Sequence, residues 1–210
     1  TFGGSGVVAT ELGKALALKG HEIHFITYSQ PVRLGRFQAN IFYHEVSVSD
    51  YPLFEFQPYE TTLASKIYDV VKYERLDLLH VHYAIPHAPA AYMAQKILAE
   101  EGINIPFVTT LHGTDITLIG KDPSFVPVVQ FCINASNVVT AVSESLKQET
   151  LAHFKVKKDI QVVPNFIPTL EHLPTPDESQ RMQYARPEEP ILCHISNFRK
   201  VKRVEDVIRI

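Results

Sequence analysis

This sequence of 210 residues is poor in cysteine, has no excess of charge of one sign, and contains no long apolar run. The two cysteines, Cys132 and Cys193, are far apart and form no C-x-x-C pair, which argues against a zinc site or a disulfide framework and points to a reducing cytoplasm. A net charge of −3 supplies no basic field to gather nucleic acid or an anionic membrane, so any phosphate must be bound locally. No stretch approaches the ~18 to 20 apolar residues of a membrane span, and the first residues lack a basic-then-apolar signal pattern. A soluble cytoplasmic protein is the expectation. The sequence opens at Thr1 directly into Gly3-Gly4-Ser5-Gly6 and stops at Ile210 inside a helical run, so it is expected to be a fragment, with a first strand missing and no activity by itself.

What is present is 45% hydrophobic, enough to bury a sizeable core. Val8, Leu12, Ala15 and Leu16 recur at helical spacing between Val7 and Lys19, with Gly20 where a C-cap belongs. Residues 21–27 and 41–48 alternate as strands. Helices are then expected over 61–73, 88–100, 124–135 and 143–154, and strands over 76–81, 106–111, 137–142 and 160–163. Strands separated by helices of about 10 to 15 residues imply right-handed crossovers and a parallel sheet covered on both faces. The fold class is α/β, a doubly wound parallel-sheet domain over residues 1–163. A polar stretch with Pro164, Pro168, Pro174, Pro176, Pro187 and Pro190 reads as a linker over 164–190. A second Rossmann-like domain is expected to start at 191–210, with a strand over Ile191–Ile195 and a helix from Val201.

Four loops carry chemistry. Gly3, Gly4, Ser5 and Gly6 lead into the first helix, where small residues admit a ligand to backbone N–H groups at the positive end of the dipole. This is not G-x-G-x-x-G, and Thr27-Tyr28-Ser29 stands where a nicotinamide site wants an acid. His80-Val81-His82-Tyr83, with His87 nearby, lies at the carboxyl end of a strand, where open α/β sheets place ligands. His80 and His82 also suit a metal-dependent hydrolase, since alternate residues share one side, but no carboxylate cluster completes the shell. His112, Gly113, Thr114 and Asp115 form a polar loop after the next strand, and the plainer account is a turn capped by Asp115. Arg199, Lys200, Lys202 and Arg203 crowd a turn ahead of a helix, which favours phosphate.

As an ordered set, GGSG, HVHYAIPHA, TTLHGTD, Thr140-Ala141-Val142-Ser143 and HISNFRKVKR resemble the retaining GT-B glycosyltransferases. Within that family the set closely resembles the branch that makes N-acetylglucosaminyl malate in bacillithiol biosynthesis. The resemblance covers nearly the whole chain. It implies transfer of N-acetylglucosamine from UDP-N-acetylglucosamine to the hydroxyl of L-malate with retention, without a metal cofactor. It places Gly3 to Gly6 against donor phosphates and acceptor, and His112 beside the donor sugar, with His82, Tyr83, Gly113, Thr114 and Asp115 lining the site. Ser5, Tyr83 and Thr114 offer hydrogen bonds to malate. Lys202 matches the lysine that neutralises the diphosphate leaving group, assisted by Arg199, and His112, Lys202 and Arg199 form the expected catalytic set. The family's usual arginine directly after a glycine is replaced here by Ser196-Asn197, which moves Arg199 by two positions. The rival readings are a transferase with another acceptor, the hydrolase on His80 and His82, and a noncatalytic sugar- or nucleotide-binding module. Homo-oligomerisation stays open.

Overall fold

In the computed structural model the described residues are 4–35, 38–48, 52, 55–168, 178–196, 198 and 200–210. Two compact units divide the chain at residues 166 and 167, a few residues beyond the end expected for the first domain.

The first unit opens with α1 (Gly4–Ala17), followed by β1 (Ile23–Thr27), β2 (Ile41–Glu45), α2 (Tyr59–Glu74), β3 (Leu79–His82), α3 (His87–Glu100) and β4 (Phe107–Leu111). After β4 come α4 (Thr114–Thr117), a 3-10 turn (Ile119–Lys121), α5 (Val126–Ala135), β5 (Val138–Ala141), α6 (Glu144–His153) and β6 (Ile160–Val162). All pairings are parallel: β1 with β2, and β3-β4-β5-β6 in chain order. α1 starts earlier than expected, because Gly4, Ser5 and Gly6 form its first turn rather than a loop before it. Gly20 closes the helix at φ +92°, with His21 N–H reaching Leu16 O at 3.2 Å. α4 was not expected from the sequence, since four residues are too few to show a period.

Consecutive strands laid side by side with crossovers of one hand bring their connecting helices to one face. Burial accordingly alternates along β3 and β5. Leu79, Val81, Phe107, Leu111, Val139 and Ala141 lie in the apolar core with α3, α5 and α6. His80, Thr110 and Thr140 share the other, more accessible face. Coverage of this sheet is therefore uneven, and the uneven side is polar. Cys132 is buried in the core, where desolvation pushes its thiol up to about 12 and keeps it inert.

In the second unit α7 (Glu178–Arg181) precedes a 3-10 turn (Lys200–Lys202) and α8 (Val204–Ile208). Ile191–Ile195 is not a strand, contrary to the expectation. No strand runs beside it among the described residues, and Leu192 and Ile195 are 78% and 91% exposed. Without a neighbouring ladder, an extended segment has nothing to pair with.

Candidate functional site

Three motifs distant in sequence meet at the carboxyl ends of β3 and β4. His82 is the last residue of β3 and His112 the first after β4, and the parallel register sets His82 beside Thr110. The two imidazoles join through His82 Nδ1 and His112 Nε2 at 2.8 Å, an arrangement in which one ring donates and the other accepts. His80 stacks on His82 with ring centroids 4.7 Å apart. Its Nε2 bonds Thr110 Oγ1 at 2.7 Å, and Thr110 Oγ1 in turn bonds Thr140 Oγ1 at 2.7 Å. His87 donates from Nδ1 to the carbonyl of His82 at 2.5 Å. It thereby holds the end of β3 in place, a positioning role the sequence did not assign.

Tyr83 follows β3 at φ 84°, with its N–H tied to Thr110 O at 2.9 Å. That bend carries its hydroxyl to α1, where it donates to Ser5 Oγ at 2.6 Å. The contact spans 78 positions and brings the first turn of α1 beside the histidines. N–H groups of that turn have no intrahelical acceptor and point toward the positive end of the dipole.

Gly113 turns the chain after His112 at φ 113°, a value that side-chain-bearing residues avoid. Asp115 is buried and bound to the backbone. Its Oδ2 accepts from Ala84 N–H at 2.9 Å, and its Oδ1 from His112 and Gly113 N–H at 3.2 and 3.0 Å. It thus sits inside α4 and clamps the β3 and β4 loops together, in place of the helix cap weighed from the sequence. Burial raises its carboxyl above the usual range, against the pull of those donors.

The histidines are neutral. Burial pulls His82 down to about 2, with His80, His112 and His87 adding to it. Burial and His80 bring His112 down to about 4. Burial also lowers His80 and His87, although His80 keeps an exposed edge. The cluster therefore offers neutral hydrogen-bonding rings, suited to hydroxyl groups and not to salt-bridging phosphate.

Among the described residues no third side chain completes the metal shell weighed for His80 and His82, and the nearby Asp115 carboxylate is bound to three backbone donors. Of the other expected site residues, Gly4, Ser5, Gly6, His82, Tyr83, His112, Gly113, Thr114 and Asp115 lie in the first unit. Lys202 lies exposed in the second, at the end of its 3-10 turn. Arg203 pairs with Asp206. Gly3 and Arg199 lie outside the described residues.

Comparison with known proteins agrees with this architecture. Residues 2–170 match the family described as Glycosyltransferase Family 4. The chain is 53% identical over its full length to the N-acetyl-alpha-D-glucosaminyl L-malate synthase of Bacillus anthracis, covering 54% of that protein. It is 32% identical over 94 residues, 41% of the chain and 22% of the relative, to a putative teichuronic acid biosynthesis glycosyltransferase of Bacillus subtilis. The chain thus spans about half the length of the first relative, or less of the second. A sucrose-phosphate synthase from Thermosynechococcus elongatus superimposes with TM-score 0.61 at 13% identity, over 87% of this chain and 48% of that one. That likeness concerns the fold, an α/β architecture of GT-B type.

Proposed function

From a chain that belongs to Glycosyltransferase Family 4, we propose the acceptor-side part of an enzyme that moves N-acetylglucosamine from UDP-N-acetylglucosamine to the hydroxyl of L-malate. Transfer proceeds with retention and without a metal cofactor, as the first step of bacillithiol biosynthesis. The observation that carries the reading is identity of 53% along the whole chain to a protein whose name states that product.

The geometry supports a division of roles. The first turn of α1 presents Gly4, Ser5 and Gly6 amides to an anionic group, either the donor diphosphate or a malate carboxylate. Tyr83, anchored on Ser5, adds a hydroxyl beside them. His112 meets the sugar as a neutral imidazole, since a cation there would bind phosphate without regard to the hydroxyls that define the sugar. His82 orients that ring through their shared hydrogen bond. Asp115 and Gly113 fix the loop, and Thr114 offers an exposed hydroxyl at the start of α4. Lys202, with Arg199, neutralises charge on the departing UDP, the moment at which a positioned cation lowers the barrier.

The test is UDP release by the full-length protein from UDP-N-acetylglucosamine, with and without L-malate, in the presence of a chelator. Release that requires malate and ignores the chelator is expected. Release indifferent to malate would point to another acceptor or to hydrolysis, and release abolished by the chelator would overturn the metal-free reading.

A further inference from the structure

A second histidine cluster lies on the other sheet and plays no part in the site described above. His24 on β1 pairs in register with Phe42, and His44 on β2 with Ile26, so the two histidines are diagonal neighbours on one face. Glu74, the last residue of α2, completes the group. One ligand atom from each of the three lies within 4.8 Å of the other two. His24 Nδ1 and His44 Nε2 are 2.9 Å apart, and His24 also stacks on Phe42 at 4.7 Å. Both rings are half-buried and Glu74 is exposed.

A simple hydrogen-bonded pair accounts for only part of this. Glu74 ends a helix, where the dipole disfavours an anion.

We propose that His24, His44 and Glu74 form a site for a divalent transition cation of the zinc class, clipping β1 and β2 to the end of α2. Two imidazoles and one carboxylate suit such an ion, whereas magnesium and calcium prefer oxygen ligands alone. Zinc–nitrogen bonds of about 2.0–2.1 Å in a tetrahedron set donor atoms roughly 3.3 Å apart. The 2.9 Å between the two ring nitrogens needs only a few tenths of an ångström of opening, and the exposed Glu74 side chain closes the rest by rotation. Water takes the fourth position. The ion stabilises this part of the fold and takes no step in sugar transfer.

The experiment titrates Zn²⁺ into chelator-stripped full-length protein against a chromophoric competitor, for the wild type and for His44→Gln, Glu74→Ala and His82→Gln. One tight equivalent is expected in the wild type and in His82→Gln. Affinity should fall by more than ~10-fold in His44→Gln and Glu74→Ala, since even a residue that only orients a ligand is worth that much. Thermal melts give a second readout: Zn²⁺ raises Tm of the wild type, and that rise disappears in Glu74→Ala, an exposed position whose replacement leaves the metal-free fold intact. Equal Zn²⁺ affinity and equal Tm rise in wild type and Glu74→Ala would overturn the proposal. So would the absence of tight binding, or its loss only in His82→Gln, which would put the ion on the other cluster.

Discussion

Asp115 illustrates how one buried carboxylate organises two loops. Its removal in Asp115→Ala leaves the N–H groups of Ala84, His112 and Gly113 without an acceptor. An unsatisfied buried donor costs about 1–3 kcal/mol, so the variant should lose roughly 3 kcal/mol or more, read as a lower urea midpoint at unchanged slope. A shift below about 1 kcal/mol would mean that water or a neighbour replaces the carboxylate. Tyr83→Phe is milder. It deletes one hydroxyl bonded to Ser5, and a neutral hydrogen bond nets about 1 kcal/mol, so unfolding free energy should fall by about that much, read as a lower urea midpoint; an unchanged midpoint would mean that the contact adds nothing to the fold. The histidines make a pH prediction. In the unfolded chain each takes up a proton below about 6.5, whereas His112 resists until about 4 and His82 until about 2. The unfolded state then binds more protons, and stability falls as pH drops from about 7 toward 4. Urea unfolding at pH 7 and pH 5 should show this loss, and His112→Gln should lessen it; an equal pH dependence in the variant would contradict the assignment.

Two glycines matter for the elements they join. A Cβ at Gly13 would meet the Phe25 ring at 2.4 Å and Ile23 at 3.1 Å, so α1 lies against β1 as closely as a glycine allows. Gly13→Ala gains helix propensity, up to about 1 kcal/mol, but overpacks the contact by about 1–3 kcal/mol. Net destabilisation of about 1 kcal/mol is expected, measured as a lower urea midpoint; a stabilised variant would show that Phe25 swings aside freely. Gly113 has open space around it but φ of +113°, so Gly113→Ala strains the His112 loop, not the core. The periodicity of α2, α3, α5 and α6 and of most strands was legible in the sequence, because amphipathic spacing is a local property. The start of α1 was not, since Gly4 and Gly6 are poor helix formers on either side of Ser5, whose hydroxyl is tied to Tyr83.

For the whole molecule, the leaving-group role of Lys202 is the part of the proposal most open to a direct test. Lys202→Ala in the full-length protein should lower kcat by about 10² or more with a small change in KM, the scale expected when one charge-stabilising donor is removed. An unchanged kcat in the UDP-release assay would remove Lys202 from the mechanism. The residues of the candidate site were legible as loops at strand ends, because an open parallel sheet puts its ligands there whatever the side chains. Their roles within it were not. His87 and Asp115 read as a loop histidine and a cap, and only packing showed them holding backbone.

The sequence by itself determined the α/β alternation, the glycine-closed end of α1, and which loops carry polar chemistry. All of these follow from spacing over a few residues. The tertiary structure alone decided that His82 pairs with His112, that Tyr83 reaches Ser5 across 78 positions, and that His24 and His44 face each other beside Glu74. Those outcomes depend on strand register and on which helix lands beside which strand. Both are settled by burial of the whole core, and no local pattern in the chain encodes them.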